Sequence, residues 1–343
     1  MVRASRGRTL LVFTLLAVSL GCVPRDAAVA MCREEGRPVL VVPEDHTVPW
    51  PASSTFIENG TTIEAGGLAF IHDVPSVSGY RIGVRVRVPD DGGSGRMDVC
   101  FVGGIVATTL DPESTPWTTW HATYGFVQEN ERAAVVGLRL FNTGDGIAFT
   151  DRAQDWSVIG VRADGSGVFP GAYIHDDCVE DDSMFAGVIV DSKFDGCHSF
   201  LSADAGEVLP DPPDGTGNTV RVESTLVRLQ GYEQSFATAK YGTNRHGGFF
   251  KFSGQASTGT PPQLVVRGST FRSDDGAAYG GNVNGELGLP PGSICEDVML
   301  IGTEAWPPEE VQSWVDQCDG LTFGTVADWD ERVAAWDADH PNL

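Results

Sequence analysis

Five acidic residues and a histidine crowd into eight consecutive positions, His175-Asp176-Asp177-Cys178-Val179-Glu180-Asp181-Asp182. Carboxylates this close repel one another, which raises some of their pKa values and lets one hold a proton near neutral pH. A carboxyl that keeps its proton beside one that does not is the equipment for acid and base work on a glycosidic bond. The same oxygens, across Asp176–Asp182, also suit Ca²⁺, which takes several carboxylate ligands on a flexible loop. A plainer reading is that Asp and Gly only build tight turns. Turn building accounts well for Asp145, Asp164 and Asp195, and less well for Asp176-Asp177 next to His175.

Related triplets flank this segment. Asp145-Gly146-Ile147, Asp176-Asp177-Cys178 and Asp195-Gly196-Cys197 align. The alignment puts Asp145, Asp176 and Asp195 in one column, then Gly146, Asp177 and Gly196, then Ile147, Cys178 and Cys197. His198 follows in the column of Ala148 and Val179. Stacked as β-strands about 4.8 Å apart, these layers bring Cys178 and Cys197 within disulfide reach. Carboxylates one or two layers apart then lie roughly 5–10 Å apart, which brackets the separations used by retaining and inverting glycosidases. His198 falls one layer from Asp177, beside the cysteine pair, and this lifts it above an ordinary strand histidine.

The elements that must carry these residues are short runs rich in Val, Ile and Phe, separated by Gly, Asp, Ser and Pro from about Tyr80 onward. Val188-Ile189-Val190-Asp191-Ser192-Lys193-Phe194 resembles the stretches beginning at Val220 and Val265, with looser copies at Leu138, Val158 and Val298. A repeat that cannot bury its own apolar face must stack on its neighbours. The unequal spacing suits coils with loops inserted at their corners. A propeller needs regular four-stranded blades, and a β-sandwich, the alternative, needs hairpin turns. The expected fold is therefore all-β, a single right-handed parallel β-helix over 80–305. An N-terminal cap with the first coils precedes it over 32–79, and a short α-helical C-terminal cap follows over 306–343. Glu309–Gln317 reads as a helix after Trp306-Pro307-Pro308. Trp329, Val333 and Trp336 fall on one face of a second helix and are expected to plug the open end of the stack.

At the acidic residues the chain resembles polygalacturonase-type glycoside hydrolases, within the pectin-lyase-like right-handed β-helix proteins. Asn142-Thr143-Gly144-Asp145-Gly146 resembles their Asn-Thr-Asp-Gly motif with one residue inserted. Asp176-Asp177-Cys178 matches Asp-Asp-Cys. Cys197-His198 resembles Gly-His-Gly without its glycines, and Phe250-Lys251-Phe252 faintly echoes Arg-Ile-Lys. The resemblance spans about 142–198. It implies inverting hydrolysis with Asp145, Asp176, Asp177 and His198 as catalytic residues. One of Asp176 or Asp177 protonates the leaving oxygen, Asp145 and the other acid activate water, and His198 orients substrate or tunes the acid. His175 and Lys251 face substrate, Lys251 toward a sugar carboxylate. A lyase variant would instead need a basic residue such as Lys193, Lys240 or Arg245 near Ca²⁺. The second reading is a non-catalytic surface scaffold that binds glycan or protein through loops at 203–218, 230–248 and 274–294, which hold Tyr232, Tyr241 and Tyr279.

Charge and cysteines frame both readings. The net charge is −24, from 23 basic and 47 acidic residues, which disfavours nucleic acid and anionic lipid as partners. The expected partner is a polysaccharide or cell-surface glycan. Arg3, Arg6 and Arg8 precede an apolar run, Thr9–Leu20, of signal-peptide length. Ser19-Leu20-Gly21-Cys22 resembles a lipobox, with Cys22 as the lipidated residue and membrane contact only through that anchor. Ala28-Val29-Ala30 offers an ordinary cleavage site instead. Six cysteines remain beyond Cys22, an even number suited to disulfides in an exported protein. No Gly-rich nucleotide loop or Gly-x-Ser-x-Gly motif is present, and nothing calls for an organic cofactor.

Overall fold

β-Branched and aromatic residues recur in short runs, and each run lies beside the equivalent run of the next coil. The computed structural model describes residues 32–34, 36–47, 50–51, 57–72, 81–87, 99–129, 132–150, 153–165, 173–181, 183–203, 213–231, 246–252, 260–274 and 285–343. Its 22 strands form one continuous sheet wound into three faces. Every strand pairing is parallel, and the sole antiparallel contact among the described residues is an isolated bridge between Phe250 and Glu286. Parallel pairing throughout makes this a parallel β-helix and rules out the sandwich.

Each face contributes an inward ladder of side chains one coil apart. On the first face it runs Ile63, Phe101, Val135, Val158, Ile189, Val222, Val266. On the second it runs Phe70, Val106, Leu140, Ala163, Phe194, Val227, Phe271, Leu300. On the third it runs Val84, Phe126, Ile147, Val179, Leu201, Phe250. All of these are buried in one core cluster. Removing so much apolar area from water, at roughly 25 cal/mol per Å², is what holds coils of unequal length to a common cross-section.

From Gly137 onward the corner between the first and second faces is turned by one residue with positive φ per coil: Gly137, Gly160, Asp191, Ser224, Gly268, Asp297 and Gly320. Only glycine or a short polar residue enters that region cheaply. Asp191, Ser224 and Asp297 build turns here, whereas Asp145, Asp164 and Asp195, for which turn building was expected, lie within strands. The repeats were misaligned by small amounts. Val188 lies beside Arg221, not Val220, and Val265 beside Ile294, not Val298. Loop insertions at the corners shift the apparent starts without disturbing the ladders.

Among the described residues three α-helices accompany the coils: α1 (Trp117–Trp120), α2 (Pro308–Gln317) and α3 (Val326–Asp339). The tryptophan that closes the stack is Trp314 of α2, fully buried, whose Nε1 donates to the Leu287 carbonyl and whose ring packs on Phe250 and Phe271. Trp329 and Trp336 do not plug the end. They lie along the outside of the second face against Leu226 and Ile301, because the connection after α2 turns α3 back along the flank.

Three disulfides tie neighbouring coils: Cys32–Cys100, Cys178–Cys197 and Cys295–Cys318. The expected Cys178–Cys197 bridge forms with its Cα atoms 5.7 Å apart. Three disulfides point to an oxidising compartment outside the cytoplasm. No helix among the described residues is long and apolar enough to cross a membrane. The leader with Cys22, the loop residues Tyr232, Lys240, Tyr241, Arg245 and Tyr279, and Asp182 lie outside the described residues.

Candidate active site on the third face

The acidic residues gather where the strands Thr123–Gln128, Asp145–Phe149, Ile174–Asp181, Lys193–Ser202 and Phe250–Lys251 run side by side. Two local features set their register. The amides of His175 and Asp176 donate to the carbonyls of Thr143 and Gly144, locking the Ile174–Asp181 strand to the lead-in of the preceding coil. Gly144 must be glycine, because a Cβ there would sit 1.8 Å from the Trp120 carbonyl oxygen. The inserted residue in the Asn142–Gly146 motif is thus the one that lets α1 press against the site.

Asp145 consequently lies opposite Asp177 rather than Asp176. Val179 pairs with Ile147, and the Asp177 amide donates to Asp145 Oδ1 at 3.1 Å. A bulge between Ile174 and Asp177 absorbs the one-residue difference. Asp145, Asp177 and Glu180 each place an oxygen within 4.8 Å of the others. Such a set could hold a hard divalent cation. It is not the contiguous 176–182 run that the sequence suggested, because Asp176 turns to His121 and Asp181 accepts from Trp156 Nε1 at 3.0 Å.

Lys251 reaches the cluster from the last strand, its Nζ 3.1 Å from Asp177 Oδ2. The other oxygen, Asp177 Oδ1, is buried without a hydrogen-bond partner. On the opposite side His121 Nδ1 lies 2.9 Å from Asp176 Oδ2. The His121 ring stacks on Trp117, and its side chain is 68% exposed while that of Asp176 is 11% exposed. His121 therefore stands at the mouth and the carboxyls lie behind it.

The electrostatics separate adjacent acids. Burial pushes the Asp145 carboxyl well above its usual range, helped by the charges of Glu180, Asp176 and Asp177. Burial also raises Asp177, with Lys251 opposing and Asp176 assisting. Burial acts the same way on Asp176, but the His121 hydrogen bond and the charges of Lys251 and His121 outweigh it, so its carboxyl titrates below the usual range. His121 is raised, first by its bond to Asp176. For Lys251 burial works against charge, yet Asp177, Asp176 and Glu180 hold its ammonium well above the ordinary lysine range.

Two expected site residues sit deeper than a substrate-facing role requires. His175 is fully buried, stacked 3.8 Å from Trp120, and burial pushes its pKa down to about 3. It is a neutral core residue and does not face substrate. His198 is buried beneath Trp117, its Nδ1 3.3 Å from Ser199 Oγ, and acts on Asp176 through charge alone. Asp195, aligned in sequence with Asp145 and Asp176, belongs to the second face, opposite Asp164 and paired with Arg228. Lys193, the described candidate for a lyase base, is also on that face, between Asp164 and Asp337.

The sequence reading missed His121 and gave Glu180 no role of its own. The signal for His121 was the compact Trp117-Thr118-Thr119-Trp120-His121 segment, two tryptophans one helical turn apart followed by an imidazole, outside any β-type run. Comparison with known proteins adds no relative: no family model, curated protein or solved structure matches the chain.

Proposed function

We propose that the protein is an exported, carbohydrate-active β-helix of the pectin-lyase-like kind that hydrolyses a polysaccharide at the Asp145/Asp176/Asp177 cluster. The observation that carries this reading is the division of labour between adjacent acids. Asp176 is held ionised by His121, while Asp177 keeps a raised pKa and a buried Oδ1 without a hydrogen-bond partner, beside a fixed ammonium. Neighbouring carboxyls pushed apart in this way give one site a permanent anion beside a base poised nearer neutral pH. In this reading Asp177 Oδ1 removes a proton from the attacking water, and Lys251 holds the other oxygen so that the free one points at the reaction. Asp145 braces Asp177 through its backbone amide. Export, with either a lipid anchor at Cys22 or cleavage after Ala30, fits the three disulfides.

The test is reducing-end release by the mature protein on a panel of neutral and acidic polysaccharides, with Asp177→Asn alongside. The reading expects release by the wild type and a loss of about 10²–10⁴-fold in an equally folded variant. No release from any polymer would favour the non-catalytic scaffold, in which the Asp145/Asp177/Glu180 set is structural or a Ca²⁺ site.

A further inference from the structure

A hydrolase needs a proton donor for the leaving oxygen as well as a base for the water, and neither Asp176 nor Asp177 is free to be that donor. Asp176 is committed to His121 as an acceptor. Asp177 carries the oxygen without a hydrogen-bond partner that is assigned above to the water, and Asp145 is engaged with the Asp177 amide.

We propose that His121, aligned by Asp176, is the general acid of this site, giving its Nε2 proton to the leaving oxygen of the glycosidic bond. This rests on the hydrolase reading and adds a residue to it. Three observations carry it. The Nδ1 edge is fixed 2.9 Å from a buried carboxylate. The ring is held flat on Trp117, 5.7 Å between centroids. Fixing one nitrogen in this way directs the other outward, and the side chain is 68% exposed at the mouth of the cluster. A carboxylate on one imidazole nitrogen sets the tautomer, orients the ring and favours the imidazolium form, so the opposite nitrogen carries a transferable proton. The titratable groups that act on the ring are Asp176 through its hydrogen bond and Asp177 and Lys251 through charge. The two carboxylates favour the imidazolium and the ammonium opposes it.

The step balances. Asp177 Oδ1 takes a proton from water as the water oxygen bonds to the anomeric carbon. The glycosidic C–O bond breaks, its electron pair goes to the leaving oxygen, and that oxygen takes the Nε2 proton. The site is left with protonated Asp177 and neutral His121, and one proton passing through solvent restores it. Activity then requires Asp177 deprotonated and His121 protonated. The alkaline limb of the rate against pH is then the His121 titration, which its bond to Asp176 holds above the ordinary imidazole range.

The experiment compares two substrates of the same sugar, the polymer found by the reducing-end screen and its 4-nitrophenyl glycoside. The nitrophenolate leaves without a proton. His121→Gln should lower kcat/KM on the polymer by about 10²–10³-fold, stay within about 10-fold on the nitrophenyl glycoside, and lose the alkaline limb of the polymer profile. Asp176→Asn should keep that limb but move it to lower pH. Asp177→Asn should lose both substrates. Equal losses on both substrates for His121→Gln, or an alkaline limb that survives the substitution, would overturn the assignment while leaving the hydrolase reading intact. No release by the wild type on any polymer would remove that reading, and this assignment with it.

Discussion

Two buried charge clusters occupy neighbouring faces of the same stack, and they differ in how their acids are matched. On the second face each carboxylate has its own cation. Asp164 accepts from Arg162 at 2.9 Å and from Lys193 at 3.1 Å, and Asp195 is paired with Arg228. Helix α3 then covers the group: Asp337 takes Lys193 at 2.7 Å, the Trp336 ring lies over the ammonium, and Arg162 donates to the Leu343 carbonyl. On the third face Asp145, Asp176, Asp177 and Glu180 share Lys251 and the imidazole of His121, and the buried Asp177 Oδ1 has no hydrogen-bond partner. Burial raises Asp195 on the second face too, against the pull of Arg228, but there the cations and α3 cover the carboxylates. Undersupplying cations and leaving the mouth open perturbs the acids and keeps them available, which is the condition for chemistry.

The largest test of that contrast sets Asp177→Asn against Lys193→Met. Asp177→Asn should abolish polymer hydrolysis yet cost little stability, because it removes a charge from an overcrowded cluster. Lys193→Met should do the reverse. Lys193 is 1% exposed, and its loss strips Asp164 and Asp337 each of one of two cations, at a cost of about 3 kcal/mol. Urea unfolding of both variants beside their kcat/KM values would decide it. A Lys193→Met protein that is fully stable but inactive would put the chemistry on the wrong face.

Acid unfolding sharpens the comparison from inside the third face. His175 titrates at about 3 in the fold and near 6.5 when unfolded. A depressed histidine contributes stability that is present above the unfolded value and lost as pH falls toward the folded one, at about 1.4 kcal/mol per unit. Asp145 works in the opposite direction. Its raised pKa means the folded state holds that proton more tightly, so its contribution is full below the unfolded carboxyl range and fades as pH rises through the folded value. His175→Gln should therefore flatten the loss of stability between pH 6.5 and 4, measured as urea midpoints. An unchanged slope would mean that His175 is not the group that must charge.

Much of this was legible in the residues themselves. The three ladders announce themselves as Val-, Ile- and Phe-rich runs, and the cysteine spacing around Asp177 was enough to pair Cys178 with Cys197. Asp145 and Asp177 were expected together and are found together, whereas Lys251, expected to face a sugar carboxylate, is paired with Asp177. The pairing of Asp145 with Asp177 instead of Asp176 was not legible. It depends on a bulge at Ile174–Asp177 and on an insertion at Gly144, and side-chain pattern alone does not report either. His121 was hidden because it arrives on a short helix inserted at a corner, outside any repeat. The second-face cluster was hidden for a related reason. It joins Arg162 and Lys193 of neighbouring coils to Asp337 of a helix expected elsewhere.

The mildest test concerns what covers the second face. Helix α3 begins with a capping box in which Thr325 Oγ1 accepts the Asp328 amide and the Asp328 carboxylate accepts the Thr325 amide. Thr325→Ala removes the hydroxyl half of that exchange and should cost about 1 kcal/mol. The loss falls on a helix whose docking depends on Trp329, Trp336 and the Lys193–Asp337 bridge, so amide exchange over Val326–Asp339 should speed up while exchange in the Ile174–Asp181 strand does not. Hydrolysis should be unaffected, because no residue of α3 reaches the acids of the third face. Slower hydrolysis in this variant would show that the two faces are coupled, and the division between a covered cluster and an open one would have to be replaced by a single cooperative unit.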